Sequence, residues 1–172
     1  MMEKIIVVDA EKCLGCRSCE LACAVAHSES KDLFKAVQEI PVPQSRVTVE
    51  GGKDFSIPLQ CRHCENAPCV EICPIGAIER IDIESPVIIN GNLCIGCKYC
   101  ILVCPFGVID IGHKGRVSIK CDMCIERLKE GKSPACVSAC PTKALSFIPL
   151  KELTEERRKN TAKTVAVRQG NK

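Results

Sequence analysis

Tryptophan is absent, Tyr99 is the lone tyrosine, and aromatic residues make up 3% of the chain. Large side chains for an ordinary core are therefore scarce, and the 46% hydrophobic share flatters the chain because it counts the cysteines. The same scarcity excludes the stacking platforms on which single-stranded nucleic acid is bound. A nucleic-acid-binding motif is missing as well. No apolar run is long enough to cross a bilayer, and neither a twin-arginine pair nor a secretory pattern opens the chain. The expectation is a cytoplasmic protein with no direct membrane span. There is also no defensible nucleophile–base pair, no phosphate-cradling glycine motif and no flavin or nicotinamide fingerprint. No catalytic residue is expected, so the chain is no enzyme by itself and borrows its chemistry from another subunit.

What the chain has instead is cysteine, sixteen in 172 residues, in four groups of four. Cys13, Cys16, Cys19 and Cys23 are spaced C-x2-C-x2-C-x3-C, and Cys94, Cys97, Cys100 and Cys104 repeat this and add Pro105. Cys61, Cys64, Cys69 and Cys73 widen the middle gap to four residues and precede Pro74. Cys121, Cys124, Cys136 and Cys140 widen it to eleven and precede Pro141. This is the bacterial ferredoxin spacing, in which three cysteines of a run hold one iron–sulfur cube and the fourth holds another. Four runs imply four [4Fe-4S] clusters, with all sixteen cysteines as cofactor-binding residues through iron. Zinc sites present two C-x2-C knuckles, whereas two runs here carry a third cysteine three residues on. In a reducing compartment such density means metal ligation and not a disulfide scaffold. The C-x3-C-x2-C loop of radical enzymes is missing.

The formal charge of +3 treats every thiol as neutral. An oxidised cube with four thiolates carries about −2, so four of them bring the assembled protein to about −5. The apparent basicity is thus no argument for an anionic partner. With so few bulky side chains, cluster binding must supply part of the folding free energy, and the cluster-free chain is expected to be largely unfolded.

Short β-rich runs flank the cysteine groups at residues 5–8, 87–89, 108–111, 117–119 and 145–148. Residues 46–49 and 55–59 flank Gly51-Gly52 and read as a hairpin. Short helices are predicted at 18–26, 99–104 and 135–140. This alternation is α+β and ferredoxin-like, short strands and helices arranged around cluster loops. CPIGAI, CPFGVI and CPTKAL, starting at Cys73, Cys104 and Cys140, are three copies of one element in which proline stops a helix and the chain turns into a strand. The first run departs, with Ala24 in place of proline and a helix that continues. Residues 151–172 are charged and free of cysteine. They read as a solvated tail or a docking helix, with Thr154 as the candidate cap.

Gly15 and Gly96 occupy the second spacer position of their runs, where a side chain would crowd the metal or strain the turn. His63 lies inside the second run and is expected to be partly exposed, and His27 and His113 lie outside the ligand spacing. Arg17, Arg62, Lys98 and Lys120 stand beside ligands. Positive charge there would favour a reduced cluster, but solvation is the expected role of each alone. Tyr99 is expected to pack near its cube. Reciprocal sharing of ligands allows consecutive pairing of the runs or a nested one, and spacing favours nesting only slightly.

The four runs in this order, with the segments CRHCENAPCVEICP, KCDMC, PACVSACPTKAL and the opening CLGCRSCELACAVAHS, resemble a known family. It is that of the four-cluster iron–sulfur subunits of molybdenum or tungsten oxidoreductases. The soluble branch is the one resembled, namely the electron-transfer subunits of formate dehydrogenase–hydrogenase complexes and of carbon monoxide dehydrogenase. The resemblance covers about residues 5–147 and implies nested pairing. One cube would take Cys13, Cys16, Cys19 and Cys140, and its neighbour Cys121, Cys124, Cys136 and Cys23. The inner pair would take Cys61, Cys64, Cys69 and Cys104, then Cys94, Cys97, Cys100 and Cys73. It further implies two bacterial-ferredoxin-like modules, one inserted in the other. The outer is 1–50 plus 113–150, the inner 51–112, and 151–172 is the tail. No ligand position is replaced, so no three-iron cluster is implied, and the missing long anchor tail implies a soluble complex.

The function so implied is relay of electrons between a catalytic oxidoreductase subunit and a second redox protein. The catalytic subunit would be of formate dehydrogenase, hydrogenase, carbon monoxide dehydrogenase or tungsten aldehyde oxidoreductase type. An anaerobic setting is expected from the cluster type. A freely diffusing polyferredoxin and a metal-stabilised interaction module are the alternatives.

Overall fold

The computed structural model describes residues 4–113 and 115–170. Of the expected modules and tail, residues 1–3, 114 and 171–172 lie outside the described residues. In chain order the elements begin with β1 (Lys4–Val8), a 3-10 turn at Ala10–Lys12, α1 (Ser18–Ala26) and α2 (Leu33–Ala36). The hairpin β2 (Thr48–Gly51) and β3 (Ser56–Leu59) follows, then α3 (Pro68–Glu71), β4 (Ile78–Glu79) and β5 (Ile88–Ile89). Next come α4 (Tyr99–Val103), β6 (Asp110–Ile111), β7 (Ser118–Ile119) and α5 (Ile125–Lys129). α6 (Ala135–Ser138), β8 (Leu145–Pro149) and α7 (Leu150–Gly170) complete the series.

Strands pair only in twos among the described residues: β1 with β8, β2 with β3, β4 with β5 and β6 with β7, each antiparallel. The β1–β8 pair joins the two ends of the cysteine array, with Ile6 opposite Phe147. α1 packs on α6, and α3 packs on α4. Two separate apolar cores result. One gathers Ile6, Val47, Val49, Met123 and Leu145 with Cys19, Cys23 and Cys136. The other gathers Ala67, Ile78, Val87 and Ile109 with Cys100. Neither contains an aromatic side chain among its buried members, as the composition requires.

The three Cys-Pro repeats share one turn. Gly76, Gly107 and Lys143 stand three residues after the last cysteine at φ of 62°, 60° and 55°. Their N–H groups donate to the carbonyls of Cys73, Cys104 and Cys140 at 3.3, 3.2 and 3.3 Å. The helices at 99–104 and 135–140 end earlier than expected, at Val103 and Ser138. Cys104 is extended (φ −72°, ψ 112°) because Pro105 clashes with a helical residue before it. Residues 46–47 stay outside β2, since the Ser45 hydroxyl and the Val47 backbone close a local turn.

The tail is one helix running straight on from β8. Thr154 is inside it, not at its cap, and its hydroxyl donates to the Lys151 carbonyl at 2.8 Å. Among the described residues no helix is long and apolar enough to cross a membrane.

Candidate metal centres

Each cysteine run opens with the same backbone device. The second spacer residue, Gly15, His63, Gly96 or Met123, has φ of 66°, 49°, 73° or 61°. Such a left-handed residue folds the chain back on the first cysteine. The His63 N–H then donates to Cys61 Sγ at 3.4 Å, and the Met123 N–H to Cys121 Sγ at 3.3 Å. Gly96 is obligatory on a second ground: a Cβ there would lie 2.1 Å from the Arg116 carbonyl oxygen. The crowding foreseen at this glycine thus comes from backbone of the β6–β7 connection. In the first and third runs Arg17 and Lys98, also left-handed at 57° and 67°, launch α1 and α4.

None of the sixteen cysteines is paired in a disulfide. Cys73 of the second run joins Cys94, Cys97 and Cys100 of the third around one small cavity. Burial pushes Cys69 up to about 11; Lys120 opposes this, while the nearby thiols of Cys61 and Cys104 add to it. Burial pushes Cys136 up to about 12, with Cys23, Cys124 and Cys19 adding to it. Burial likewise carries Cys121 well above the ordinary thiol value, beside Cys136 and Cys23. Cys19 is raised by burial to about 11. Cys16 is lowered by the Ser18 hydroxyl at 3.4 Å, and its cross-run neighbour Cys140 pushes it the other way. Cysteines of different runs are thus brought near one another. Cys16 and Cys97 are the exposed members of the array.

Around Cys23 the chain builds a polar clasp that spacing rules do not reveal. The Arg46 N–H donates to Cys23 Sγ at 3.3 Å, and its guanidinium pairs with Asp122. His27 places Nδ1 2.7 Å from the Cys23 carbonyl and Nε2 3.0 Å from Asp122 Oδ1. Burial alone would lower His27, but Asp122 and Cys23 outweigh it and take it up to about 9. Burial would raise Asp122, yet His27 and Arg46 hold it well below the usual carboxylate range. The only advance signal was the oddity of a carboxylate between two cluster ligands, Cys121 and Cys124.

Two expectations fail at the second run. His63 is not partly exposed but 4% exposed, with Nδ1 3.2 Å from the Val87 carbonyl, and burial followed by the nearby Lys120 charge pushes it down to about 3. Lys120 is not solvated: it is 4% exposed, whereas Arg17, Arg62 and Lys98 are exposed as expected. Tyr99, at the start of α4, is 51% exposed. His113 is exposed.

Whether these residues fit iron–sulfur cubes is tested by the donors they direct. Backbone N–H groups reach Cys23, Cys61, Cys121 and Cys140 sulfurs at 3.2–3.4 Å. Buried His63 Nε2 and both side-chain amide atoms of Gln60, 1% exposed, lie near Cys61 in sequence and have no hydrogen-bond partner among the described residues. Converging soft thiols, N–H···S bonds and orphaned polar atoms at the ligand loops fit a sulfur-rich cluster. Mixed short helices and paired strands around such runs define a ferredoxin-type iron–sulfur protein.

Comparison with known proteins narrows that class. Residues 53–149 match the 4Fe-4S dicluster domain, a stretch that takes in the second, third and fourth runs. The iron-sulfur protein of Rhodospirillum rubrum is 42% identical over 159 residues, covering 85% of this chain and 82% of that one. The electron transport protein HydN of Escherichia coli is 38% identical over 180 residues, covering 94% and 98%. The thiosulfate reductase electron transfer subunit PhsB of Salmonella typhi is 39% identical over 149 residues, covering 86% and 77%. The chain belongs to the 4Fe-4S dicluster domain family.

Proposed function

We propose that the chain is an electron-transfer component with four [4Fe-4S] clusters, relaying electrons between a catalytic oxidoreductase subunit and a second redox partner. The carrying observation is that Cys73 of the second run shares one cavity with Cys94, Cys97 and Cys100 of the third, so that ligands of different runs meet. A cube, when bound, supplies one-electron exchange at a potential set by its hydrogen bonds, nearby charge and burial. The protein's part is to fix the ligands, donate N–H···S bonds and keep water from the inner centres.

The nested sets are supported run by run. Cys16 lies by Cys140, Cys23 by Cys121, Cys124 and Cys136, and Cys69 by Cys61 and Cys104. The β1–β8 pair and the α1–α6 contact favour an outer module of 1–50 plus 113–150, and the second apolar core favours an inner one of 51–112. Exposed Cys16 and Cys97 mark one solvent-facing ligand in each, suited to entry and exit of electrons. The names of HydN and PhsB, an electron transport protein and an electron transfer subunit, support the role. A soluble, non-catalytic subunit of a cytoplasmic complex is the reading.

Anoxic native purification with mass spectrometry of co-migrating chains tests it. A fixed ratio with a formate-, hydrogen-, carbon monoxide-, aldehyde- or thiosulfate-converting subunit is expected. A brown protein running alone at its 18.7 kDa mass favours a mobile carrier instead. Cys140→Ser is expected to perturb the centre of Cys13, Cys16 and Cys19. Damage confined to the Cys121 centre, read by Mössbauer spectroscopy, would overturn the nested sets.

A further inference from the structure

Lys120 is a buried cation with no carboxylate partner among the described residues. Its ammonium makes three contacts, matching its three N–H donors: the Val87 carbonyl, the Cys121 carbonyl at 3.2 Å and Cys61 Sγ at 3.5 Å. No salt bridge to it occurs among the described residues. A buried ammonium surrounded only by neutral carbonyls is strongly disfavoured unless negative charge lies beside it. The negative charge within reach is the Cys61 sulfur and the centre it ligates. Lys120 also directly precedes Cys121 in the chain, so one side chain is anchored at a ligand of one module and aimed at a ligand of the other. The remaining cation at this edge, Arg80, donates to the carbonyls of His63 and Cys64 at 2.7 Å each and so braces the loop.

We propose that Lys120 is a potential-setting residue at the junction of the two modules, making the centre ligated by Cys61 easier to reduce. It acts through the Cys61 sulfur and is a positioning charge, not a catalytic group. When that centre takes up one electron it becomes more negative, and a cation 3.5 Å from one ligand favours the reduced form. No atom is transferred. The electron comes from the donor subunit of the relay and leaves to the next centre.

This rests on the four-cube reading, and the test separates the two. Anoxically purified full-length protein and its Lys120→Met and Lys120→Arg variants are assayed for iron and sulfide, then titrated potentiometrically with EPR detection. Wild-type chain with fewer than four cubes sinks the four-cube reading, whatever the variants do. With cubes intact, Lys120→Met is expected to shift the reduction equilibrium of one centre about tenfold towards the oxidised form, about 59 mV for one electron. Lys120→Arg, keeping the charge, is expected to restore most of it. Unchanged midpoints in a fully loaded Lys120→Met chain overturn the proposal. If Lys120→Met loses iron, Lys120→Gln is titrated in its place. Iron loss in both neutral variants with retention in Lys120→Arg overturns potential setting in favour of a purely structural charge.

Discussion

Left-handed backbone at the second spacer position recurs in all four runs, yet only Gly15 and Gly96 announce it by residue type. His63 and Met123 adopt the same φ at some conformational cost, since non-glycine residues there crowd their own carbonyls. The reason they are tolerated is burial: each side chain is fixed in the interior, His63 against the Val87 carbonyl and Met123 in the first apolar core. Gly96 has no such latitude. Gly96→Ala is expected to cost more than about 2 kcal/mol, combining positive φ with a clash against backbone that cannot swing aside. Iron analysis checks this, with about a quarter of the iron lost and the Cys94 centre missing. Gly15→Ala, whose Cβ would meet Ser56 Oγ at 3.3 Å, is expected to retain far more. Residue spacing marked the sixteen cysteines as candidate ligands, because ligand chemistry fixes spacing. It could not mark the Arg46–Asp122 pair, whose members are 76 residues apart, and it marked Lys120 only as a neighbour of Cys121, not of Cys61, 59 residues away.

At the scale of elements, the short strands and the helices after the cysteine loops were legible because proline, glycine and apolar runs punctuate them locally. Element ends were less legible. Cys104 leaves its helix because of Pro105, and Cys140 lies beyond α6 in the same way. The β1–β8 pairing joins segments at opposite ends of the array and has no local signal at all. The tail's capping departs from the expectation, since α7 grows directly from β8 and the exposed Thr154 hydroxyl bonds back to Lys151 within the helix. α7 is largely exposed through residue 166 and touches mainly β8. Removing residues 153–172 is therefore expected to leave the iron content unchanged and to lower stability by no more than about 1 kcal/mol. Iron analysis and thermal melting of the truncated chain check this; loss of the Cys13 centre would give the helix a structural role.

The whole molecule is two small apolar cores wound about sixteen thiols, without a buried aromatic side chain among their members. Several of those thiols are driven upward by burial, as at Cys136 and Cys121. Metal binding replaces their protons and couples cluster assembly to folding. Stripping the iron with a chelator under anoxic conditions is expected to collapse the far-UV helix signal and abolish a cooperative melt. A stripped chain that still melts sharply would show that the apolar cores suffice alone. The central claim, a four-centre electron relay, is met most directly by anoxic reductive titration of the purified chain with iron counted in the same sample. About four electrons per chain, one for each cube, are expected, with bleaching of the visible band throughout. A colourless or zinc-loaded chain that takes up no electrons would contradict it.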